Sequence, residues 1–492
     1  MKRILIVLLS LVLCFGAVGC RMGLANSLKE TEQEVNAKLD KDYTAEIQIG
    51  VSLAQADNVD NLIKAFNVHY PNIKVKPRIQ SDEQTVLTWT QAELSKRGTT
   101  PDILYFTSST YLAFASGEVL KDLNPYLEDS YEKGVLEKDD LNDDILSLGR
   151  TNNKEGVETA YLMPTHYDQV VTLFNTAQFK DAKIEIRNEG TADMTFCYTP
   201  IEGENAGTFR EVKANDWTWD DFMEICALLK KNYDDKGLTS QGKSVATMSI
   251  GWDATMFPIM EAFGGQIIDD EGNLVLEEEG NIEKVAASLK MQWDVMNVLH
   301  YSKYSDQQSL STKNTAIQFQ SRPAIVGWND EASPLYGEFD VAPFPAINET
   351  DPASPKMGGG SHGYAMYRFS RDPNAAWAFM QFMFTEEGQQ ILGKSGSQVP
   401  VLKHMLTEVD DNGEVWEWRK AFPDINNDAF ILYTDRFTPV DFMNSLPQSQ
   451  QAKVYEAACT GFTSILSKEE EPDYEAELKK LNTDIQYIME HN

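Results

Sequence analysis

The sequence predicts an α/β protein in which a parallel sheet is covered by helices. Three observations predict it. Strand-like and helical stretches alternate from Glu46 to Phe106, and the alternation returns between Ala316 and Leu392. The chain has 492 residues, 42% of them hydrophobic, enough for two or three domains around a large core.

Taken in order, Glu46 to Val51 reads as a strand. Val59 to His69 reads as a helix with Leu62, Ile63 and Phe66 on one face. Pro71 ends it and Ile73-Lys74-Val75 begins the next strand. A helix containing Val86 to Leu94 follows. A Gly-Thr-Thr-Pro turn then leads into the apolar strand Ile103 to Phe106. This β-α-β-α-β order implies parallel strands. Residues 181–215 are polar and glycine-containing, the composition of an insertion. Cys226 sits in a helical pattern with Phe222, Ile225, Leu228 and Leu229, which suits a buried structural thiol. Further on, Ala316 to Phe319, Ala324 to Gly327, Val341 to Pro343 and Tyr364 to Tyr367 read as strands. Asn374 to Met383 and Thr385 to Leu392 read as helices. The acidic run Glu469 to Glu471 reads as a solvated stretch before a last helix.

The N-terminus carries an address. Lys2 and Arg3 precede an apolar run from Ile4 to Phe15, and Ala17-Val18-Gly19 lead into Cys20. That is the layout of a secretory signal peptide over residues 1–20, too short for the ~20 residues of a spanning helix. Small residues ending in cysteine resemble a bacterial lipobox. The resemblance implies cleavage before Cys20 and its lipidation, with palmitate-like chains that each add about 0.8 kcal/mol per buried methylene. The alternative is an ordinary signal peptide. Residues 21–44 read as a polar tether. The formal charge of −33 argues against nucleic acid and anionic lipid as partners.

Two enzyme patterns overlap at Gly358 to Gly363 and both fail on context. The GxGxxG spacing should open a helix after a strand, but strand-like Tyr364 to Tyr367 follows it. The GxSxG spacing around Ser361 also lacks the helix that a nucleophile elbow requires. The stretch reads instead as a loop whose glycines let backbone approach a ligand. Glu408 to Gly413 is rejected as a calcium loop, because Arg419 stands where a bidentate glutamate belongs. The six histidines are scattered without metal-ligand spacing.

Several short motifs recur in a telling order. Leu62 to Phe66 is followed by Tyr70-Pro71-Asn72, then Pro101-Asp102-Ile103 and Pro125-Tyr126-Leu127. Tyr161 to Pro164 leads to Leu173-Phe174-Asn175. Trp217 to Phe222, Gly264-Gly265, Asp270-Glu271-Gly272, Thr385 to Gly388 and Val399-Pro400 complete the series. Over Glu46 to about Leu402 the chain resembles the family 1 extracellular solute-binding proteins of ABC importers, the sugar-binding group. The resemblance implies a two-lobe, periplasmic-binding-protein-like α/β fold with the ligand cleft at the hinge. It places lobe 1 at residues 45–165 and 328–371 and lobe 2 at 166–327 and 372–492. Crossings would lie near Pro164, Gly327 and Phe369. It also implies a carbohydrate ligand, ABC permease subunits as partners, a membrane contact through the lipid, no cofactor, no metal and no catalytic residue.

The same resemblance nominates the ligand contacts. Asp168 stands where family members carry a carboxylate that accepts sugar hydroxyls, with Tyr167 beside it. Trp252 and Asp253 correspond to a segment that reaches the ligand from the second lobe. Trp328 and Asn329 follow the supposed hinge strand, where the family often carries a stacking tryptophan. Ser108, Asp82, Ser361 and His362 complete the set. The structural alternatives are a loop aspartate for Asp168, a core ring for Trp328 and a structural His362. Asp168→Ala and Trp328→Ala are each expected to weaken binding without unfolding the chain. Two other functions compete with capture for import: a surface hydrolase using paired carboxylates, and a sensory lipoprotein that reuses the fold.

Overall fold

The computed structural model describes residues 29–94, 99–166, 168–247, 252–302, 309–347, 356, 358–432 and 445–491. The signal peptide, Cys20 and Tyr167 lie outside the described residues. The chain opens with β1 (Ala45–Ser52), α1 (Ala56–His69), β2 (Ile73–Gln80), α2 (Glu83–Glu93) and β3 (Ile103–Thr107). Next come β4 (Met163–Pro164), β5 (Asp168–Gln169) and β6 (Val171–Asn175). Then follow β7 (Glu185–Arg187), β8 (Thr195–Tyr198), β9 (Arg210–Lys213), α3 (Trp219–Asp235), β10 (Ala246–Thr247), α4 (Asp253–Ala262) and α5 (Asn281–Asn297). The last part holds β11 (Ile317–Gln320), β12 (Phe339–Pro343), β13 (Gly359–Gly360), β14 (His362–Met366), α6 (Pro373–Phe382), α7 (Glu386–Gly393), α8 (Gln448–Leu466) and α9 (Tyr474–His491).

Two sheets define two lobes. The first has strand order β2-β1-β3-β14-β4, parallel across β2, β1 and β3 and antiparallel at β14 and β4. The second has order β10-β11-β6-β12 and is antiparallel except at the β10–β11 edge. The expected β-α-β-α-β run is present in the first lobe. Ile47, Ile49 and Val51 are fully buried there, because helices cover the sheet. Phe66 of α1 meets Phe379 and Phe382 of α6 at ring-centroid distances of 5.1 and 5.8 Å. In the second lobe, Trp219 and Phe222 of α3 pack on Phe319 of β11.

The expected lobe boundaries need correction. Strand β12 lies in the second sheet, so residues 328–343 do not join the first lobe. The chain returns between Pro343 and Gly359, not near Gly327. Helices α6 and α7 pack on the first lobe, against β1 and α1. The next crossing therefore lies beyond Leu402, which bridges to Leu141, and before Asn426, which bonds Asp340 of β12. Ala324 to Gly327 is not a strand. Arg322–Ile325 forms a 3-10 turn with Pro323 near its start. Pro323 lacks the N–H a ladder needs. Residues 181–215 build a three-stranded antiparallel sheet, β9-β8-β7.

The tether expected over 21–44 is docked over its described part. Ala37 is fully buried; its N–H donates to Asp129 and its carbonyl accepts from Gln381. Thr31 donates to the Ser370 carbonyl at 2.7 Å. Cys226 is fully buried, as its helical pattern suggested. Among the described residues, no helix is long and apolar enough to cross a membrane.

Asp102, buried at the end of the first sheet, ties three strands together. Its carboxylate accepts from Gln48 N of β1 and, beyond β14, from Ser370 Oγ, Arg371 N and Arg371 Nη2 at 2.7–3.0 Å. Removing an acid in such a network orphans several donors and costs about 3–5 kcal/mol. Asp102→Ala is expected to lower unfolding stability by that amount in urea titration, with the m-value unchanged.

Candidate functional site

Between the lobes runs a two-stranded antiparallel ribbon. Strand β5 pairs with β13, with Gly359 opposite Gln169 and Gly360 opposite Asp168. Beside it opens a cavity of about 240 Å³. The first lobe contributes Ser108, Ser109, Ser147, Arg150 and His362, the ribbon Asp168 with Ser361 just beyond it, and the second lobe Trp252, Asp253 and Ser321. Six of the ten nominated contacts meet here: Ser108, Asp168, Trp252, Asp253, Ser361 and His362.

Backbone pairing aims these groups. Ser108 N donates to the Ser361 carbonyl at 2.8 Å, and Ser361 N returns a bond to Ser108 Oγ at 3.2 Å. Ser361 Oγ donates to the His166 carbonyl at 2.5 Å. The glycines of this stretch serve a different close approach from the one expected. A Cβ on Gly358 would lie 1.6 Å from the Ala254 carbonyl oxygen, and one on Gly363 would lie 2.2 Å from that of Met163. Gly358 and Gly363 admit backbone, while Gly359 and Gly360 between them line the cavity.

Asp168 sits between two imidazoles. Its Oδ2 is 3.4 Å from His166 Nε2 and 3.6 Å from His362 Nδ1. Its Oδ1 is buried and has no hydrogen-bond partner among the described residues. His362 is stacked between Tyr105 and His166, with centroids 5.6 and 5.5 Å away. Its Nε2 faces Glu83 Oε2 at 3.4 Å, and Glu83 also accepts from Tyr105 OH. Burial is the largest influence on Asp168 and acts to raise its pKa. His166 and His362 outweigh it and hold the carboxyl below its usual range. Burial likewise opposes charge on His362, yet Asp168 and Glu83 push it up to about 10. Burial pushes Asp253 up in the second lobe, where Tyr455 OH donates to it at 2.7 Å.

Three nominated residues lie elsewhere. Trp328 is a core ring, edge-on to Phe339 at 5.2 Å and 8% exposed. Asn329 is exposed and donates to the Ala421 carbonyl. Asp82 caps α2 by accepting from Thr85 N at 2.7 Å. Its neighbour Glu83, one residue on, is the group that reaches the cleft wall. His166 and Arg150 were missed. The signal available for His166 was its place two residues before the nominated Asp168.

The profile of the family described as "Bacterial extracellular solute-binding protein" matches residues 52–390. The chain belongs to that family. Solved structures similar to it include three from bacteria. An ABC substrate-binding protein of Listeria monocytogenes in complex with cycloalternan shares 17% identity at TM-score 0.66, over 92% of this chain and 100% of that one. Maltose-bound MalE3 of T. maritima shares 15% at 0.64, over 90% and 100%. UgpB of Mycobacterium tuberculosis in complex with glycerophosphocholine shares 16% at 0.67, over 91% and 99%. At such identities they establish a common fold for this solute-binding protein. Among curated proteins, none matches the chain.

Placing Trp328 in the core reverses the expectation for its variant. Trp328→Ala is expected to cost about 3–5 kcal/mol of stability, the range for truncating a buried aromatic. Folded Trp328→Ala protein should bind solute as the wild type does. Chemical denaturation and calorimetric binding at low temperature check the two halves separately.

Proposed function

We propose that this solute-binding protein captures a carbohydrate in the inter-lobe cleft by hinge closure and presents it to the permease of an ABC importer. The observation that carries the reading is the makeup of the cleft. A carboxylate on the ribbon, a second carboxylate and an indole on one lobe, and serine hydroxyls on the other face a single cavity. Carboxylates accept the hydroxyls of a sugar in strong charge-assisted bonds. An indole face suits the apolar face of a pyranose. The contacts proposed are Asp168, Trp252, Asp253, Ser108, Ser361 and His362, with Arg150 added from the structure.

Two similar structures carry sugars, cycloalternan and maltose, which supports a carbohydrate for this chain. The cavity is smaller than the ~300–1,000 Å³ of most ligand clefts. That size suits a small sugar, or one end of a longer one. The segment from Lys2 to Cys20 supports an exported protein held at the extracellular face of the cell membrane by acyl chains on Cys20. The role is binding without turnover.

The test is thermal unfolding against a panel of mono- and oligosaccharides. A ligand at 100 times its dissociation constant adds about 2.7 kcal/mol. In a chain this long that shifts the midpoint by a few degrees. A selective shift, with the sugar recovered intact and the shift lost in Asp168→Ala and Trp252→Ala, is the expected result. Sugar recovered cleaved, or no shift with any member of the panel, would refute the reading.

A further inference from the structure

His166, Asp168 and His362 offer one ligand atom each, and these atoms all lie within 4.8 Å of one another. Two of the three edges are the 3.4 and 3.6 Å distances to Asp168 Oδ2. A tetrahedral ion with bonds of about 2.0–2.1 Å has ligand-to-ligand edges of about 3.4 Å. The outer side of each ring is already engaged. Thr165 Oγ1 donates to the His362 carbonyl at 3.2 Å, so toward His166 Nδ1, also 3.2 Å away, it serves as an acceptor. His362 Nε2 faces the Glu83 carboxylate. The ring nitrogens directed inward are His166 Nε2 and His362 Nδ1. Both nitrogens face a carboxylate whose second oxygen is buried and unpartnered among the described residues. A carboxylate and two ring nitrogens that converge in a buried site need a positive charge among them, which a ring proton or a metal ion can supply.

We propose that His166, Asp168 and His362 form a binding site for a divalent transition-metal ion of the zinc type. Two imidazoles and one carboxylate suit zinc and its neighbours rather than magnesium or calcium, which take oxygen ligands. Glu83 and Thr165 supply the outer contacts that fix ring orientation at such sites. Three protein ligands leave a coordination position open, and the cavity is where it opens.

The site is tested on the full chain, stripped with a chelator, dialysed and titrated with Zn²⁺. The expected result is one retained zinc per chain. Asp168→Asn and His362→Ala should abolish retention. Glu83→Gln should weaken affinity about 10–100-fold, the usual effect of losing an outer contact. His404→Ala provides the control, because His404 is an exposed histidine beside Asp140 and Glu386. Its loss should change nothing. Co²⁺ in place of zinc should give the visible absorption of a four- or five-coordinate ion. Wild-type protein that retains no zinc would overturn the site without any variant, and would leave protons as the only cations of the cluster. Zinc retained equally by Asp168→Asn would overturn it as well. The sugar panel, run on stripped and on loaded protein, separates this result from the proposed function: zinc retention stands or falls whatever the sugars do.

Discussion

The cleft depends on two backbones passing side by side between the sheets. Strands β5 and β13 are too short to hold each other alone, so flanking bonds extend the pairing. Val170 N donates to the Gly358 carbonyl at 2.8 Å, and Thr165 N to that of His362 at 3.0 Å. This fit requires the absence of a Cβ at Gly358 and Gly363, where it would collide with the Ala254 and Met163 carbonyls. Both collisions are with backbone, so no rotamer change relieves them. The ribbon therefore fixes the position of Asp168, His362 and Ser361 more firmly than side-chain packing could.

Three buried ions show how differently this fold holds charge. Asp102 is neutralised by Arg371 and fully hydrogen-bonded. Arg322 is fully buried, and its guanidinium donates to the Gly396 and Trp418 carbonyls and to Asn427 Oδ1. The rings of Trp418 and Phe430 lie 4.9 and 4.7 Å from its centre. Burial lowers its pKa to about 9, which still leaves it charged at neutral pH. Carbonyls and ring faces thus substitute for solvent around it. Asp168 differs from both, since it lines the cavity and one of its oxygens has no partner among the described residues. A buried polar atom left open at a cavity wall has a structural cost, and function is the usual reason such a cost persists.

What was legible in the sequence follows from how local the cause was. Strands Ile47 to Val51 and Ile103 to Phe106 announce themselves by burial on both faces, and α1 by its stripe of Val59, Leu62 and Phe66. The late helices were legible for the same reason. Ala324 to Gly327 misled because a short apolar run has no periodicity to contradict a strand. Its true conformation is set by the distant partners of Arg322 at 396, 418 and 427. Trp328 misled for a related reason: an indole reads the same whether Phe339 or a sugar lies against it. His166 and His362 looked scattered because 195 residues separate the members of the pair that Ser361 Oγ and the His166 carbonyl bring together. No spacing rule spans a chain crossing. The lobe boundaries failed likewise, since β12 joins the second sheet by pairing with β6, a contact set by register rather than by composition.

The ribbon also determines what a solute can do to the molecule. Its register is pinned at both ends, so the two strands cannot slide past each other without breaking the Thr165 and Val170 bonds. The proposed hinge closure would therefore bend the ribbon and leave its register unchanged. Ser108 is bonded to the ribbon through Ser361, so it moves with the ribbon. Trp252 and Asp253 stand at the start of α4, whose Ala254 carbonyl touches Gly358 at the ribbon's other end. In the proposed closure, a ligand that bonds Asp168 on the ribbon and Asp253 on α4 would span the gap that closes. Its differential affinity for the closed gap over the open one is the only free energy that can drive closure. In that reading the buried carboxylate on the ribbon is a place where a hydroxyl or an ion would add a bond, because its Oδ1 has no hydrogen-bond partner among the described residues.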